Sequence, residues 1–261
     1  MLYNLHTHTA RCNHAVGDDR EYVEAAIKSG IKVLGFADHC PQFFPDTDYY
    51  SYFRMRPELA ANYVQSVRSL QKEYESDIKI LLGFETEYYP ATFEKFMEFI
   101  KPLGLDYLIM GQHFVGNEYD SQSFYSSDKN SDEDLLIRYI NQTLEGLKKG
   151  IFTYIAHPDI LNYQGDMGFY REQIKGFCEK LKALDIPIEY NILGHRNKKC
   201  YPNPVFWEIA AEVGNKTVLG YDAHEPKALL ESDVYNECVN TLKNFGITPI
   251  DFNEIKIKSV Y

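Results

Sequence analysis

The sequence predicts an α/β protein in which about seven parallel strands alternate with helices and close into a barrel, with polar residues gathered at the C-terminal ends of the strands. Three observations lead there. Short apolar runs recur between longer amphipathic stretches, nearly every run leads directly into a histidine or a carboxylate, and 261 residues suffice for a barrel occupying 1–261 as one domain. An open doubly wound sheet would share the alternation, but its ligand residues would concentrate at one crevice and come from a few strand ends. Residues at the ends of nearly all the strands converge only when those ends form a ring.

Taken in order, strands are expected at 2–5, 33–37, 78–84, 107–110, 153–156, 186–190 and 217–221. Helical spacing occupies 21–30, 57–74, 133–149 and 169–184. Asp132 or Ser131 can cap the third of these helices, and Pro57 suits the first turn of the second. Gly30 and Gly150 stand where a helix should stop before the next strand. The aromatic stretch PQFFPDTDYYSYFRMRP, 41–57, has no clear period and reads as a long loop after the second strand, either a lid or a hydrophobic surface flap.

Composition narrows the function classes. A charged fraction of 25% and an apolar fraction of 44% are those of an ordinary globular chain. The formal net charge of -11 argues against a nucleic-acid partner, because a polyanion needs a basic track to release its counterions. The one basic stretch, His195 to Lys199 in HRNKK, could serve a small phosphate but is too short for a duplex. MLYNLHTHT has neither a charged n-region nor a long apolar core, and no segment offers the roughly 20 apolar residues of a membrane span. A cytoplasmic protein without membrane partners is therefore expected. The five cysteines (Cys12, Cys40, Cys178, Cys200 and Cys238) are odd in number and scattered, which disfavours a disulfide scaffold; Cys12 and Cys40 lie near interesting histidines.

The strand ends supply the chemistry. The first ends in His6 and His8, which face one side of an extended chain, and His14 follows six residues later. The second delivers Asp38 and His39, the third Glu85 and Glu87, the fourth His113, the fifth His157 and Asp159, and the seventh Asp222 and His224. Alone, His-x-His is a weak motif and His14 reads as a surface histidine. Together, seven of the eight histidines lie at or just after strand ends, a placement that independent surface or core histidines have no reason to follow. Seven imidazoles with two carboxylates exceed the shell of one zinc and suit a cluster of two or three divalent ions. Such ions, about 3.5–4 Å apart, activate water and clamp phosphoryl oxygens. Amide or lactam hydrolysis fits equally, so the residues alone specify a metal-dependent hydrolase. The Gly-rich phosphate loops, the Gly-x-Ser-x-Gly elbow and His-Glu-x-x-His are absent.

At this point the chain resembles the PHP (polymerase and histidinol phosphatase) phosphoesterases. HTHT at His6 to Thr9, His14, ADH ending at His39, GFE ending at Glu85, QH at His113, AHPD from His157 and YDAH with Asp222 and His224 occur in family order. The GFETEYYP segment, the NxxGHR stretch and the length resemble the monofunctional histidinol-phosphatase branch, which acts in histidine biosynthesis. The resemblance implies a distorted seven-stranded (β/α)7 barrel and a cluster of zinc, manganese or iron. His6, His8, Glu85 and Asp222 would hold one ion, Glu85 would bridge to a second on His113 and His157, and His14, His39 and His224 would bind the third. Phosphomonoester hydrolysis would then proceed without a covalent intermediate, with Glu85 and Asp222 in the catalytic set. His195 is either the proton donor to the leaving group or an ordinary loop residue. Arg196 is either the fork for the phosphate or a solvent-facing arginine, and Glu87 and Tyr88 would line the substrate pocket. Two other readings stay open: a nucleic-acid-processing PHP module and a metal-dependent amidohydrolase.

Overall fold

The structure, a computed structural model, describes residues 2–44, 47 and 49–261. Pro45, Asp46 and Asp48, part of the expected lid loop, lie outside the described residues. The order is β1 (Tyr3–Asn4), α1 (Asp19–Lys28), β2 (Val33–His39), α2 (Ala60–Glu73), β3 (Lys79–Thr86), α3 (Phe93–Ile100), β4 (Tyr107–Met110), β5 (Phe114–Val115), β6 (Phe124–Tyr125), α4 (Glu133–Leu147), α5 (Met167–Ala183), β7 (Ile188–Asn191), α6 (Ile192–Arg196), α7 (Pro204–Val213), β8 (Thr217–Gly220) and α8 (Ser232–Asn244). Asp132 caps α4 by accepting from the backbone of Asp134 and Leu135, and Gly30 and Gly150 take φ of 83° and 79° at the chain reversals after their helices. The sequence pattern missed α3, α6, α7 and α8.

β1 to β4 form a parallel sheet in chain order, and β7 pairs with β8 in parallel. The expected fifth strand bonds β4 along 153–156, with Thr153 N donating to the Leu108 carbonyl (2.8 Å), Met110 N to the Tyr154 carbonyl (3.1 Å) and Ala156 N to the Met110 carbonyl (2.8 Å), and Ile155 bridges Met110 on one side and Ile188 on the other. It ends there because His157 turns out of the extended region at φ 30°. The sixth expected strand starts late, at Ile188, since Pro187 has no N–H for the ladder. Thr7 bridges Ala223 beyond the ends of β1 and β8. The result is a curled parallel sheet joined at isolated bridges, in place of seven full strands. The hairpin of β5 and β6 is antiparallel and lies outside that rhythm.

Both faces of the sheet are buried. Leu34, Phe36, Ile80, Leu82 and Phe84 face the helices, while Val33, Ala37, Leu81, Tyr107 and Ile109 pack inside the curl with Tyr3, Leu5, Tyr154, Ala156 and Val218. Ile255, with Phe252 packed against this group, extends the inner cluster into the C-terminal segment. Tyr107 crosses the interior and donates to the carbonyls of Leu5 (2.8 Å) and Phe36 (3.1 Å). A Cβ at Gly35 would meet the Tyr107 hydroxyl, so the crossing requires glycine there. Among the described residues no helix is long and apolar enough to cross a membrane.

Tyr107→Phe leaves two buried carbonyls without this donor and should lower the unfolding free energy by about 1–3 kcal/mol. Urea denaturation measures it; a loss below about 0.5 kcal/mol would mean that the two carbonyls find other partners.

Candidate metal centre

The sheet places its C-terminal ends together, and the register fixes which side chains meet. His39 on β2 is opposite Glu85 on β3, and Glu85 is opposite Ile109 on β4. Glu85 is 1% exposed and lies over Gly111, where any Cβ would collide with its carboxylate. His6 Nε2, His8 Nε2 and His39 Nδ1 stand 3.6, 3.7 and 3.0 Å from Glu85 Oε2; His113 Nε2 and His157 Nε2 stand 3.6 and 2.9 Å from Oε1. Asp222 Oδ1 lies 3.5 Å from His6 Nε2 and 3.0 Å from His8 Nε2. His224 stacks on His8 with ring centroids 4.1 Å apart, and its Nε2 is 3.0 Å from His14 Nε2. His157 and Asp222 both take positive φ, 30° and 50°, a strain that persists only where the surroundings impose it.

The second ring nitrogens explain the aim of the first. His6 Nδ1 donates to Glu189 Oε1 (2.7 Å), His113 Nδ1 to Glu87 Oε1 (2.7 Å), His14 Nδ1 to the Cys12 carbonyl (2.8 Å) and His224 Nδ1 to the Asp222 carbonyl (3.0 Å). Each bond turns Nε2 toward the cluster, the orientation that metal-binding imidazoles require. Glu189 Oε2 also accepts from the His157 backbone (3.1 Å) and from Asn191 Nδ2 (2.9 Å), and Asn191 donates to Asp222 Oδ2 (3.1 Å).

Charge follows from this packing. Burial pushes the Glu85 carboxyl up, but His113, His39, His6 and the bond from His157 outweigh it and hold it well below the usual range. Asp222 is likewise held low against burial by His6, His8 and His224. Burial and neighbouring His8 keep His39 well below its ordinary value and lower His224 to about 3, so both are neutral imidazoles.

The donor set fits divalent ions. His6 Nε2, both nitrogens of His8, His39 Nδ1, His157 Nδ1 and Glu85 Oε2 are buried without a hydrogen bond. Each such atom costs about 1–3 kcal/mol, so the cluster works against stability unless something else binds it. Ligand atoms within 4.8 Å of one another group as His6, His8 and Asp222; as His6, Glu85 and His157; and as His8, His39 and His224. Several such groups side by side are capable of a multinuclear site.

A cavity of about 500 Å³ opens above the cluster. His14, His39, His113, Asp222 and His224 form one side, Phe53, Phe114, Tyr125, Leu193 and Tyr201 another, and Lys199 is the cation on its lining. A wider polar groove between α1 and α2, lined by Arg11, Asp19 and Asn62, lies elsewhere, and Arg11 donates to both Asp19 and Asn62 there.

Four expected contacts are placed differently. Arg196 and His195 belong to the one-turn helix α6, of which Leu193 lines the cavity and these two side chains do not. Arg196 Nη1 lies 3.2 Å from Glu231 and 3.6 Å from Glu225, and His195 Nδ1 bonds the Tyr190 hydroxyl at 3.0 Å. The basic stretch reaches the cavity through Lys199 instead. Glu87 is 2% exposed, held by Arg54 and His113, and closed to a substrate ammonium. Tyr88 points to the helical layer, where its hydroxyl bonds Glu145 Oε1 at 2.6 Å. Sequence reasoning missed Glu189, whose signal was a lone acid inside the apolar strand IPIEYN, and it missed Asn191, Arg54 and Tyr201 as site residues, whereas Phe53 belongs to the aromatic 41–57 loop that the sequence singled out.

Glu189→Gln removes the charge that orients His6 while keeping its shape, and metal affinity should fall about 10- to 100-fold. Competition with a chromophoric chelator reads this directly; unchanged affinity would show that Glu189 is only a structural acceptor.

Known proteins offer three comparisons. The PHP domain model matches residues 4–192. A protein of Deinococcus radiodurans named "Probable histidinol-phosphatase" is 29% identical over 264 residues, covering 98% of each chain. The histidinol-phosphatase of Bacillus subtilis is 28% identical over 131 residues, 46% of this chain and 49% of that one. The solved structure of histidinol phosphate phosphatase from Lactococcus lactis, a complex with zinc, L-histidinol and phosphate, superposes with a TM-score of 0.72 at 19% identity, covering 99% of this chain and 97% of the other. Since the matched model spans most of the strands that carry the histidine cluster, the chain belongs to the PHP domain family.

Proposed function

We propose that this chain is a metal-dependent histidinol-phosphatase, converting L-histidinol phosphate and water to L-histidinol and phosphate in histidine biosynthesis. The observation that carries the metal chemistry is Glu85, one buried carboxylate faced by five imidazoles beneath an open cavity. The substrate is supported by the names of the relatives, which agree across a bacterial protein matched over 98% of its length and a fission-yeast protein matched over 81%. In this reading the seven segments act as one distorted (β/α)7 ring and 1–261 works as a single domain in the cytoplasm.

His6, His8, Glu85 and Asp222 would hold one ion of zinc, manganese or iron; Glu85 would also serve a second with His113 and His157; and His14, His39 and His224 would take a third. Such ions supply an activated water and neutralise phosphoryl oxygens. The chain's own residues do the rest. Asn191 fixes Asp222 through Oδ2 and leaves Oδ1 facing His6 and His8, where it can hold a metal or orient water. Lys199, on the cavity lining, attracts the phosphate dianion, a role expected of Arg196, which pairs with Glu231 and Glu225 instead. The aromatic wall of Phe53, Phe114, Tyr125 and Tyr201 offers ring faces to an imidazole and an ammonium.

Protein purified without chelator should contain more than one equivalent of metal per chain and lose activity in EDTA. Glu85→Ala should cost at least about 1,000-fold in kcat, roughly 4 kcal/mol, because it removes the charge shared between two cations. Full activity in EDTA, with no metal bound, sinks the metal reading.

In a substrate panel, kcat/KM for L-histidinol phosphate should exceed that for p-nitrophenyl phosphate and nucleotides by at least about tenfold, equivalent to roughly 1.4 kcal/mol. Equal or better turnover of nucleoside phosphates would defeat the substrate assignment and leave the metal centre standing.

A further inference from the structure

Beside the metal cluster lies a charged group that the reaction as described does not use. Arg54, in the connection between β2 and α2, is 1% exposed. Its guanidinium grips Glu87 with two nitrogens, Nη2 standing 2.6 Å from Oε1 and Nη1 bonding Oε2. Nε donates to Glu118 Oε2 at 2.9 Å, so the fork also reaches the segment after β5. Glu87 Oε1 in turn accepts from His113 Nδ1 at 2.7 Å. Ion pairs removed from water this completely lose several kcal/mol per ion to desolvation, and a well-packed apolar group often serves stability as well. What an apolar group lacks is direction: a two-point fork sets the plane of the Glu87 carboxylate, and that plane aims its oxygen at the imidazole.

The same residue bears on the cavity. The Arg54 guanidinium lies 5.0 Å from the ring centre of Phe53, which stacks on Phe114 at 5.7 Å and meets the His39 ring edge-on at 6.2 Å. Pinning Arg54 thus pins the aromatic wall immediately before it in the chain.

We propose that Arg54 is a positioning residue of the metal centre: through Glu87 it fixes the tautomer and direction of His113, and through its own backbone it holds Phe53 against the cavity. This rests on the metal-centre reading above and is independent of which phosphomonoester is the substrate. Since Glu87 is the partner of only one cluster histidine, the effect should fall on one ion and spare the others.

The test compares full-length wild type with Arg54→Lys, Arg54→Met and, as a control, Arg68→Met, which breaks a similar fork on Asp106 at the surface. Zinc retained per chain is measured over a chelator titration, alongside kcat, KM and the thermal melt. Both Arg54 variants should keep the far-UV spectrum yet release one equivalent of zinc at a chelator concentration about tenfold or more below that for wild type. Their kcat should fall by about tenfold with a smaller change in KM. Lysine should rescue only partly, because an ammonium keeps the charge without the fork. Arg68→Met should retain zinc as wild type does, whatever its melt. Arg54→Lys with wild-type zinc retention and kcat within about twofold overturns the proposal alone; wild type that binds no zinc overturns it together with the metal centre. If Arg54→Met fails to fold, Arg54→Lys decides, and if both unfold the residue is a structural anchor and the proposal falls.

Discussion

A carboxylate with 1% exposure has to be compensated by its neighbours, and Glu85 is compensated by imidazoles, with no lysine or arginine paired to it among the described residues. The rest of the molecule depends on this choice. An arginine would neutralise the charge and close the site, whereas imidazoles can give up their protons and turn lone pairs to a cation. To converge on one carboxylate, the imidazoles must arrive from different strand ends, and only a curled parallel sheet brings those ends to one place. Gly111 gives the carboxylate its room, and positive φ values mark His157 and Asp222 at the ends of two segments.

The arrangement divides the molecule into a stabilising part and a costly one. Below the ligands, Tyr3, Leu5, Val33, Leu81, Ile109 and Val218 fill the curl, and on the outside the helices cover the other face. At the top, buried nitrogens without hydrogen bonds and two strained backbone positions oppose folding. Ligand binding offsets such costs when it favours the folded state over the unfolded one. Function and marginal stability therefore meet at the same residues.

A layer of carboxylates surrounds the imidazoles and sets their direction. Glu189 serves His6 and braces the backbone of His157, while Glu87 serves His113. Glu87 is anchored by Arg54, but Glu189 is anchored by Asn191 and by backbone. This difference links the β2–α2 connection to one side of the cluster only. The aromatic cavity wall at Phe53 is part of that connection, so the shape of the pocket and the aim of His113 share a support.

Much of this was legible along the chain because it is local. Strands of period two ending in His or Glu, a cap at Asp132 and stops at Gly30 and Gly150 are read within a few residues, and they identify the histidines that meet Glu85. Strand extents were less accurate, since 153–156 bonds β4 along its length but meets β7 only around Ile155, which depends on how tightly the sheet curls. The directions of Arg196 and His195 were not legible, because they are set by partners that the fold supplies, Glu225 and Glu231 for Arg196 and the Tyr190 hydroxyl for His195. Nor were the orienting partners: His6 and Glu189 are 183 residues apart, and Arg54 meets Glu87 and Glu118 only after three connections fold over one rim. Identity and order of the metal-binding side chains are written in short-range pattern, whereas their aim, and which cation faces the cavity, arise from contacts between residues distant in the chain.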